Sequence, residues 1–261
     1  MTRSAARPAP QDADLPLTGP DRALRVREMF ARIVPHYDLL NRLMTGGQDI
    51  YWRRLAAAAA RPRGAAALDL ATGTGDLALE LRRQGAGSVV GADYCAPMVD
   101  AAAAKLRRQH ATGITLAVGD ALALPFADES FDCVTSGFLL RNVVDLERAL
   151  REMRRVLRPG GRIVALEITH APPGPIGGFA RWYFRTVVPL LGRLVGDDGA
   201  AYRYLPASVD LFPNAKRLAQ LFEAAGFVDV HFRRLSLGCV AIHRGTVSSQ
   251  REESAEAAAG G

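Results

Sequence analysis

Cysteine is scarce in this chain of 261 residues, and Cys95, Cys133 and Cys239 lie far apart. No CxxC pair exists, so the spacing favours neither a disulfide framework nor a zinc site. Each cysteine sits in or beside an apolar run, which predicts buried free thiols in a reducing cytoplasm. The five histidines, His243 among them, show no HxxxH or other metal-ligand spacing. We therefore expect no bound metal.

Long apolar runs are lacking as well. No segment approaches the roughly 20 uninterrupted apolar residues of a membrane span, and no apolar stretch of a secretory signal follows Arg3 and Arg7. The sequence predicts a cytoplasmic protein, or one bound peripherally at the inner face of the membrane. The net charge of +6 is moderate and the arginines are scattered. This favours a solvated basic face and no nucleic-acid partner, with a non-catalytic basic protein that binds nucleic acid or lipid as the alternative.

One α/β domain is the simplest organisation. Residues 1–22 predict a disordered leader and residues 246–261 a flexible tail, and no linker divides residues 23–245. Helical and strand-type patterns alternate, which is typical of βαβ crossovers and a mostly parallel sheet. The predicted helices are 23–34, 48–60, 76–83, 97–108, 146–157 and 214–224; the predicted strands are 66–70, 88–93, 114–118, 133–136, 162–168 and a closing hairpin of 227–232 and 239–243.

A segment at about 172–206 interrupts the alternation and is interpreted as a helical insertion. Its apolar residues recur at helical spacing, which predicts a helix packed on the core, a lid over a substrate or a face against a membrane. Pro189 is expected to bend it. The apolar stripe consists of Ile176, Phe179, Tyr183, Val187, Leu190, Leu191 and Leu194, with Arg181, Arg185 and Arg193 away from its centre.

A glycine-rich turn with the sequence LATGTG follows the first predicted strand at residues 70–75. Glycine allows tight turning and close approach of a ligand to helix N–H groups, and ligands bind beyond the carboxyl ends of parallel strands. With Ala78 in the last place, the turn also satisfies the dinucleotide fingerprint GxGxxG/A. A nicotinamide oxidoreductase is therefore one alternative.

Three carboxylates bear on the choice of cofactor. Asp69, just before the glycines, is well placed for a cationic amino-acid moiety and poorly placed beside a pyrophosphate. Asp93 ends the next strand, where it can accept both ribose hydroxyls of either cofactor. Asp120 follows the third strand and can accept the adenine amino group, with an apolar wall from Pro125 and Phe126. Together they favour a nucleoside that carries a cationic amino acid.

Around these motifs the chain resembles the ubiquinone/menaquinone-biosynthesis C-methyltransferases, over nearly all of residues 26–245. The most selective segments are YDLLNRLMTGG at 37–47 and LRNVVD at 140–145; RVLRPGGR at 155–162, LEIT at 166–169 and YRYL at 202–205 also match. The resemblance implies a Rossmann-like class I methyltransferase with helices on both faces of a seven-stranded, mostly parallel sheet that ends in an antiparallel hairpin. It also implies S-adenosylmethionine as the cofactor.

The same resemblance implies methyl transfer to a ring carbon of a lipid-tailed quinol, either demethylmenaquinol or a ubiquinol precursor. Contact with a membrane surface and a homodimer are further expectations. Arg141 would stabilise a phenolate oxygen or order a water, because arginine stays protonated, while Asn142 and Tyr37 orient the ring. The implied cofactor-binding residues are Asp69, Ala71, Gly73, Thr74, Gly75, Asp93, Tyr94, Asp120, Ala121 and Gly137.

Four positions depart from the family pattern. Asp49 stands where the family usually has His, Leu139 where it has Gly, Gly137 where it often has Ser, and Thr169 where it usually has Ser. Gly137 and Leu139 lie beside the implied active site. These departures leave the reaction class intact and leave the acceptor open, so a methyltransferase of another small phenolic metabolite is the alternative.

Overall fold

Seven strands form one mixed sheet in the computed structural model, which describes residues 21–187, 190 and 200–249. Its strand order is β3-β2-β1-β4-β5-β7-β6. The first five strands are parallel, and β7 inserts antiparallel between β5 and β6. The predicted fold class is confirmed. The strands are β1 (Ala66–Leu70), β2 (Ser88–Asp93), β3 (Ile114–Val118), β4 (Phe131–Gly137), β5 (Leu157–Ile168), β6 (Phe227–Leu235) and β7 (Val240–Val247).

Helices cover both faces of this sheet. One buried cluster packs Trp52 and Leu81 against the sheet, and a second packs Leu150 and Phe222 against the opposite face. This arrangement follows from strands that are apolar on both faces, as buried parallel sheets require. The helices are α1 (Arg22–Ile33), α2 (Tyr37–Thr45), α3 (Gln48–Ala60), α4 (Asp76–Arg83), α5 (Ala96–Arg108), α6 (Leu146–Arg155), α7 (Pro175–Trp182), α8 (Ala200–Leu211) and α9 (Ala215–Ala224).

Helix α2 is the element that periodicity missed. Its nine residues are fewer than the window of about 11–18 over which a helical period is read. Gly46 and Gly47 end it with positive φ angles of 58° and 78°, and the Gly47 N–H donates to the Arg42 carbonyl at 2.8 Å. This left-handed turn reverses the chain into α3.

Several predicted boundaries were wrong. Helix α6 ends at Arg155, and β5 begins at Leu157 rather than Arg162, because Leu157 pairs with Phe131 before an irregularity in the register. Strand β7 continues to Val247, two residues into the predicted tail, where Val247 is buried. Helix α1 starts at Arg22, the last residue of the predicted leader. Residues 1–20 of that leader and most of that tail lie outside the described residues.

The insertion is helical where the structure describes it. Helix α7 continues into one π-helical turn, Tyr183–Val187, and α8 runs five residues beyond the predicted end at 206. Phe179 and Trp182 are 58% and 53% exposed, so these two aromatic side chains are not packed into the core. Tyr183 donates from its hydroxyl to the Met44 carbonyl at 2.8 Å, which attaches the insertion to the end of α2. Pro189, Leu191, Arg193 and Leu194 lie outside the described residues.

Candidate active site

A first cavity lies beyond the carboxyl ends of β1, β2 and β4, where parallel sheets bind ligands. It contains about 910 Å³ of empty space, part of it open to solvent. Helix α1 lies over it and contributes Val26 and Phe30. Of the predicted cofactor-binding residues, those that line the cavity are Ala71, Gly73, Asp93, Tyr94, Asp120, Ala121 and Gly137.

The glycine-rich turn is held by Asp93. One carboxylate oxygen accepts the Gly73 N–H and the other accepts the Cys95 N–H, both at 2.8 Å. Gly73 needs its glycine, because its φ is +55°. Burial raises the pKa of Asp93 above its ordinary value, against the lowering effect of these hydrogen bonds. The carboxylate keeps acceptor capacity for a ligand hydroxyl.

Three residues predicted to hold the cofactor do not line this cavity. Strand alternation turns the Asp69 side chain away from it, toward Thr72 and Thr135, whose hydroxyls donate to its two oxygens at 2.8 and 2.9 Å. Burial raises the pKa of Asp69 to about 7. The Thr74 hydroxyl faces α2 and α5, and Gly75 lies below the turn against Ala102. Asp69, Thr74 and Gly75 thus lie outside the lining of the cavity, and the cofactor contacts predicted for them stay predictions.

A second cavity of about 890 Å³ adjoins the first. Phe30, Tyr37 and Phe138 line both cavities and form the boundary between them. Its walls come mainly from apolar side chains of helices, and Arg141 and Asp49 are the charged residues in its lining. The apolar lining residues include Met29, Ile33, Leu40, Met44, Trp52, Ile168, Leu205 and Val240.

Arg141 is buried in the wall of the second cavity, where its Nη1 donates to Glu167 and to the Phe138 carbonyl, each at 3.1 Å. Its Nε is buried and has no hydrogen-bond partner among the described residues. Glu167 is fully buried and also accepts the Leu140 N–H at 2.6 Å. Burial raises the pKa of Glu167 to about 7, although the Arg141 charge opposes the rise. The sequence analysis did not identify Glu167 as a site residue. The feature that could have indicated it is a single carboxylate within an otherwise apolar strand segment.

Asn142 lines the first cavity, and Tyr37 lines both cavities. The Asn142 amide donates to the Phe138 carbonyl at 2.9 Å and accepts the Tyr204 hydroxyl at 3.1 Å. Phe138 has a φ of +62°, a strained conformation for a residue with a side chain. Sequence reasoning quoted Tyr204 only as part of a motif and did not single out Phe138. The structure brings the three predicted catalytic residues, Tyr37, Arg141 and Asn142, together around this boundary.

Asp49, where the family usually has His, is buried between two arginines. Arg42 and Arg53 both bond its carboxylate, so its charge is compensated. Leu139 lines the first cavity. Within the described ranges, no group of three or more His, Cys, Asp or Glu side chains could hold a metal ion. His243 is buried, its Nε2 lies 2.8 Å from the Ala215 carbonyl, and burial lowers its pKa to about 4.

The sheet order and the ligand cavity beyond its parallel strands define a class I methyltransferase fold. A solved SAM-dependent methyltransferase from Thermotoga maritima shares it with a TM-score of 0.60 at 20% identity, over 84% of this chain and 98% of that one. A [4+2]-cyclase, SpnF, shares it with a TM-score of 0.65 at 19% identity, over 91% of this chain and 100% of that one. The fold alone thus leaves the reaction open.

The family is shown by sequence. The profile of the ubiE/COQ5 methyltransferase family matches residues 20–247, and the chain belongs to that family. Similar relatives include the demethylmenaquinone methyltransferase of Roseiflexus sp. (46% identical; 88% of this chain, 96% of the relative) and the ubiquinone/menaquinone biosynthesis C-methyltransferase UbiE of Desulfotalea psychrophila (47%; 84% and 89%). The nicotinamide oxidoreductase and the non-catalytic basic protein are thereby excluded.

Proposed function

We propose that this chain transfers a methyl group from S-adenosylmethionine to a ring carbon of a prenylated quinol, either demethylmenaquinol or a ubiquinol precursor. The observation that carries the proposal is the pair of adjoining cavities that meet at Tyr37 and Phe138. A nucleoside in one cavity and an aromatic ring in the other would face each other across this boundary. The names of the relatives support the quinol as acceptor.

The first cavity fits the cofactor. Gly73 lines it, and the positive φ of this residue, +55°, lets the backbone of the turn come close to a ligand. Asp93 would accept the ribose hydroxyls, and Asp120 the adenine amino group, between the apolar side chains of Met98 and Leu122. When bound, S-adenosylmethionine supplies an electrophilic methyl group on a sulfonium.

The second cavity fits an aromatic ring with an apolar tail. The buried guanidinium of Arg141 stabilises negative charge on a ring oxygen, and its Nε–H is a donor without a partner among the described residues. Glu167 holds that guanidinium in place. Tyr37 and Asn142 orient the ring edge, and the apolar wall excludes water from the reacting carbon.

The decisive experiment uses purified protein with S-adenosylmethionine carrying a deuterated methyl group and a short-chain demethylmenaquinol kept reduced. We expect mass spectrometry to find the deuterated methyl group on a ring carbon. A parallel incubation with a ubiquinol precursor and with simple phenols separates the acceptors. Transfer to a phenolic oxygen, or to simple phenols alone, would contradict the proposal, as would no transfer by a protein that binds S-adenosylhomocysteine in calorimetry.

We also propose that the chain contacts a membrane surface, since a prenylated quinol resides there. Leu43 on α2 and Phe179 and Trp182 on α7 are exposed apolar residues on elements that touch each other. None of the described helices is long and apolar enough to cross a membrane. We expect Trp182→Glu to reduce sedimentation with anionic vesicles; equal sedimentation would refute the contact. The homodimer, the absence of a nucleic-acid partner and the cytoplasmic location stay predictions.

A further inference from the structure

Lysine is rare in this chain: Lys105 and Lys216 are its two lysines among 33 basic residues. Lys105 stands in the last turns of α5, and its side chain is only 11% exposed. A buried ammonium is costly unless it is paired and hydrogen-bonded. The groups that pair with the Lys105 ammonium therefore indicate the role of this residue.

Three acceptors surround the Lys105 ammonium. Its Nζ lies 2.5 Å from Asp38 on α2, 2.7 Å from Asp76 at the start of α4 and 3.0 Å from the hydroxyl of Thr74 in the glycine-rich turn. The Thr74 hydroxyl in turn donates to Asp38 at 2.6 Å. The ammonium donates hydrogen bonds to Thr74 and Asp76 and forms an ion pair with Asp38. We call Asp38, Thr74, Asp76 and Lys105 the α2 clasp.

The clasp is an ionic unit. Burial alone would raise the pKa of Asp76, but the charge and hydrogen bond of Lys105, with the charge of Arg53 and a hydrogen bond from Arg42, lower it to about 2. Arg42 reaches Asp76 at 2.7 Å and extends the unit back to α2. Helix α2 is thus attached by charge, through Asp38 and Arg42, to α5 and to the start of α4, and by the hydrogen bond of Thr74 to the glycine-rich turn.

Tyr37 immediately precedes Asp38 and is the first residue of α2. Its ring lies at Gly73, the neighbour of Thr74, and it lines both cavities. In the sequence, Thr74 follows Gly73 and Asp38 follows Tyr37. The clasp therefore links the residue next to Gly73 to the residue next to Tyr37. A shift of the turn would carry the ring with it.

We propose that Lys105 is a positioning residue for the methyl transfer and acts through Asp38 and Thr74 to hold Tyr37 at the boundary between the two cavities. This inference rests on the proposed function, because it takes Tyr37 to orient the acceptor ring. It gives Thr74 a role different from cofactor contact. It also fits the choice of lysine, since a compact ammonium brings one charged atom within 3.0 Å of all three groups, whereas a guanidinium spreads its charge over a planar fork.

The test is a double-mutant cycle between Lys105→Met and Tyr37→Phe, which isolates their coupling. Since misplacement of a reacting group by about 1 Å can cost about 100-fold, we expect Lys105→Met to lower kcat by roughly 10-fold or more in the native background and by less than about 2-fold beside Tyr37→Phe. Lys105→Arg should not restore the rate. Equal losses in the two backgrounds would overturn the proposal and leave Lys105 with a purely structural role.

Hydrogen exchange gives a readout that does not depend on activity. We expect Lys105→Met to speed exchange of the α2 amides by about 10-fold or more, with α3 amides unchanged, because the clasp holds α2 and not α3. Arg83→Met, which removes an exposed cation paired with Glu80 on α4, should leave both rate and exchange unchanged.

Should Lys105→Met fail to fold, Asp38→Asn breaks the same clasp from its more exposed side and should give the same two results. Unchanged α2 exchange in a folded variant would refute the clasp. If the wild-type chain methylates no quinol while α2 exchange still responds to Lys105→Met, the proposed function fails and the clasp stands without its catalytic role.

Discussion

The two cavities are built from different parts of the chain. Strand ends and the turns after them form much of the first, where Asp93 holds the backbone amides of Gly73 and Cys95 in place. Helices α1 to α3 and α8 form most of the second, and its polar contacts come from side chains such as Arg141. A cyclase and a methyltransferase share this fold at about 20% identity. The first cavity therefore follows from the sheet, whereas the second depends on the particular helices added to it.

The largest expected effect is that of Arg141→Met, which changes the second cavity and leaves the lining of the first unchanged. Since losing one donor to a developing oxyanion costs about 100- to 1,000-fold in kcat, we expect Arg141→Met to lower methyl transfer by that order. The affinity for S-adenosylhomocysteine should stay within about 2-fold, because Arg141 does not line the first cavity. Leaving Glu167 without its charge partner should also cost about 3–5 kcal/mol of unfolding free energy. Single-turnover rates, calorimetry and urea unfolding measure the three quantities.

The matched control is the double variant Arg141→Met/Glu167→Gln. A glutamine oxygen can still accept the Leu140 N–H that Glu167 accepts at 2.6 Å, and it carries no charge to bury. We expect the double variant to regain most of the stability but none of the activity. A double variant as unstable as Arg141→Met would show that the ion pair is not the source of the loss.

A second prediction concerns a carboxylate behind the first cavity. The pKa of Asp69 is about 7 against an ordinary value of 3.8, since burial is the dominant cause. Between pH 4 and 7 the folded chain keeps a proton that the unfolded chain has lost, so stability falls as pH rises through this window, by at most about 1.4 kcal/mol per pH unit. Asp69→Asn removes this loss. We expect the variant to gain up to about 4 kcal/mol relative to wild type between pH 4 and pH 8, measured by urea unfolding.

The protonation of Asp69 also distinguishes two models of the cofactor site: one in which its side chain contacts the cofactor, and one in which it does not. If the Asp69 side chain stays with Thr72 and Thr135, binding of the cationic amino acid of S-adenosylhomocysteine should leave its proton in place. Calorimetry at pH 6.5 in two buffers of different ionisation enthalpy should then show almost no proton release. Release of a large fraction of a proton would restore the direct contact predicted from sequence.

The sequence predicted element boundaries most accurately where the local residue pattern and the rule that ligands bind beyond the ends of parallel strands point to the same segment. The strand β1 and helix α4 on either side of the glycine-rich turn were predicted to the residue, because the turn itself marks both ends. Asp93 was placed at the cavity by its position at the end of a strand. The orientation of the Asp69 side chain, which lies outside the cavity lining, was not predictable, because a position next to the glycines does not reveal which face of the strand it occupies.

The second cavity was less predictable, because its contacts join distant segments. The pairs Arg141–Glu167 and Asn142–Tyr204 are separated by 26 and 62 residues. No short-range pattern marks such pairs, and the motifs indicated Arg141 and Asn142 through resemblance alone. The same holds for the contact of Lys105 with Asp38, which depends on how α2 lies across α5.

The smallest expected effect is that of a substitution at Gly137, which lines the first cavity and precedes the boundary residue Phe138. A side-chain carbon there would meet Leu77 at 3.7 Å, an ordinary van der Waals contact, and the backbone does not require glycine. We expect Gly137→Ser, which restores the residue often found in the family, to change the unfolding free energy by less than about 0.5 kcal/mol and kcat by less than about 2-fold. Urea unfolding and steady-state kinetics measure both.

Gly91→Ala is the contrasting glycine variant, because a side-chain carbon there would lie 2.9 Å from the Thr72 hydroxyl and 3.0 Å from Leu116. Overpacking of this kind costs about 1–3 kcal/mol of unfolding free energy, and it would displace the start of the turn that Asp93 holds.

A loss of more than about 10-fold in kcat for Gly137→Ser would mean that the wall of the first cavity next to the boundary tolerates no added atom. The two cavities would then have to be treated as one rigid site rather than as a general nucleoside site joined to a specific acceptor site.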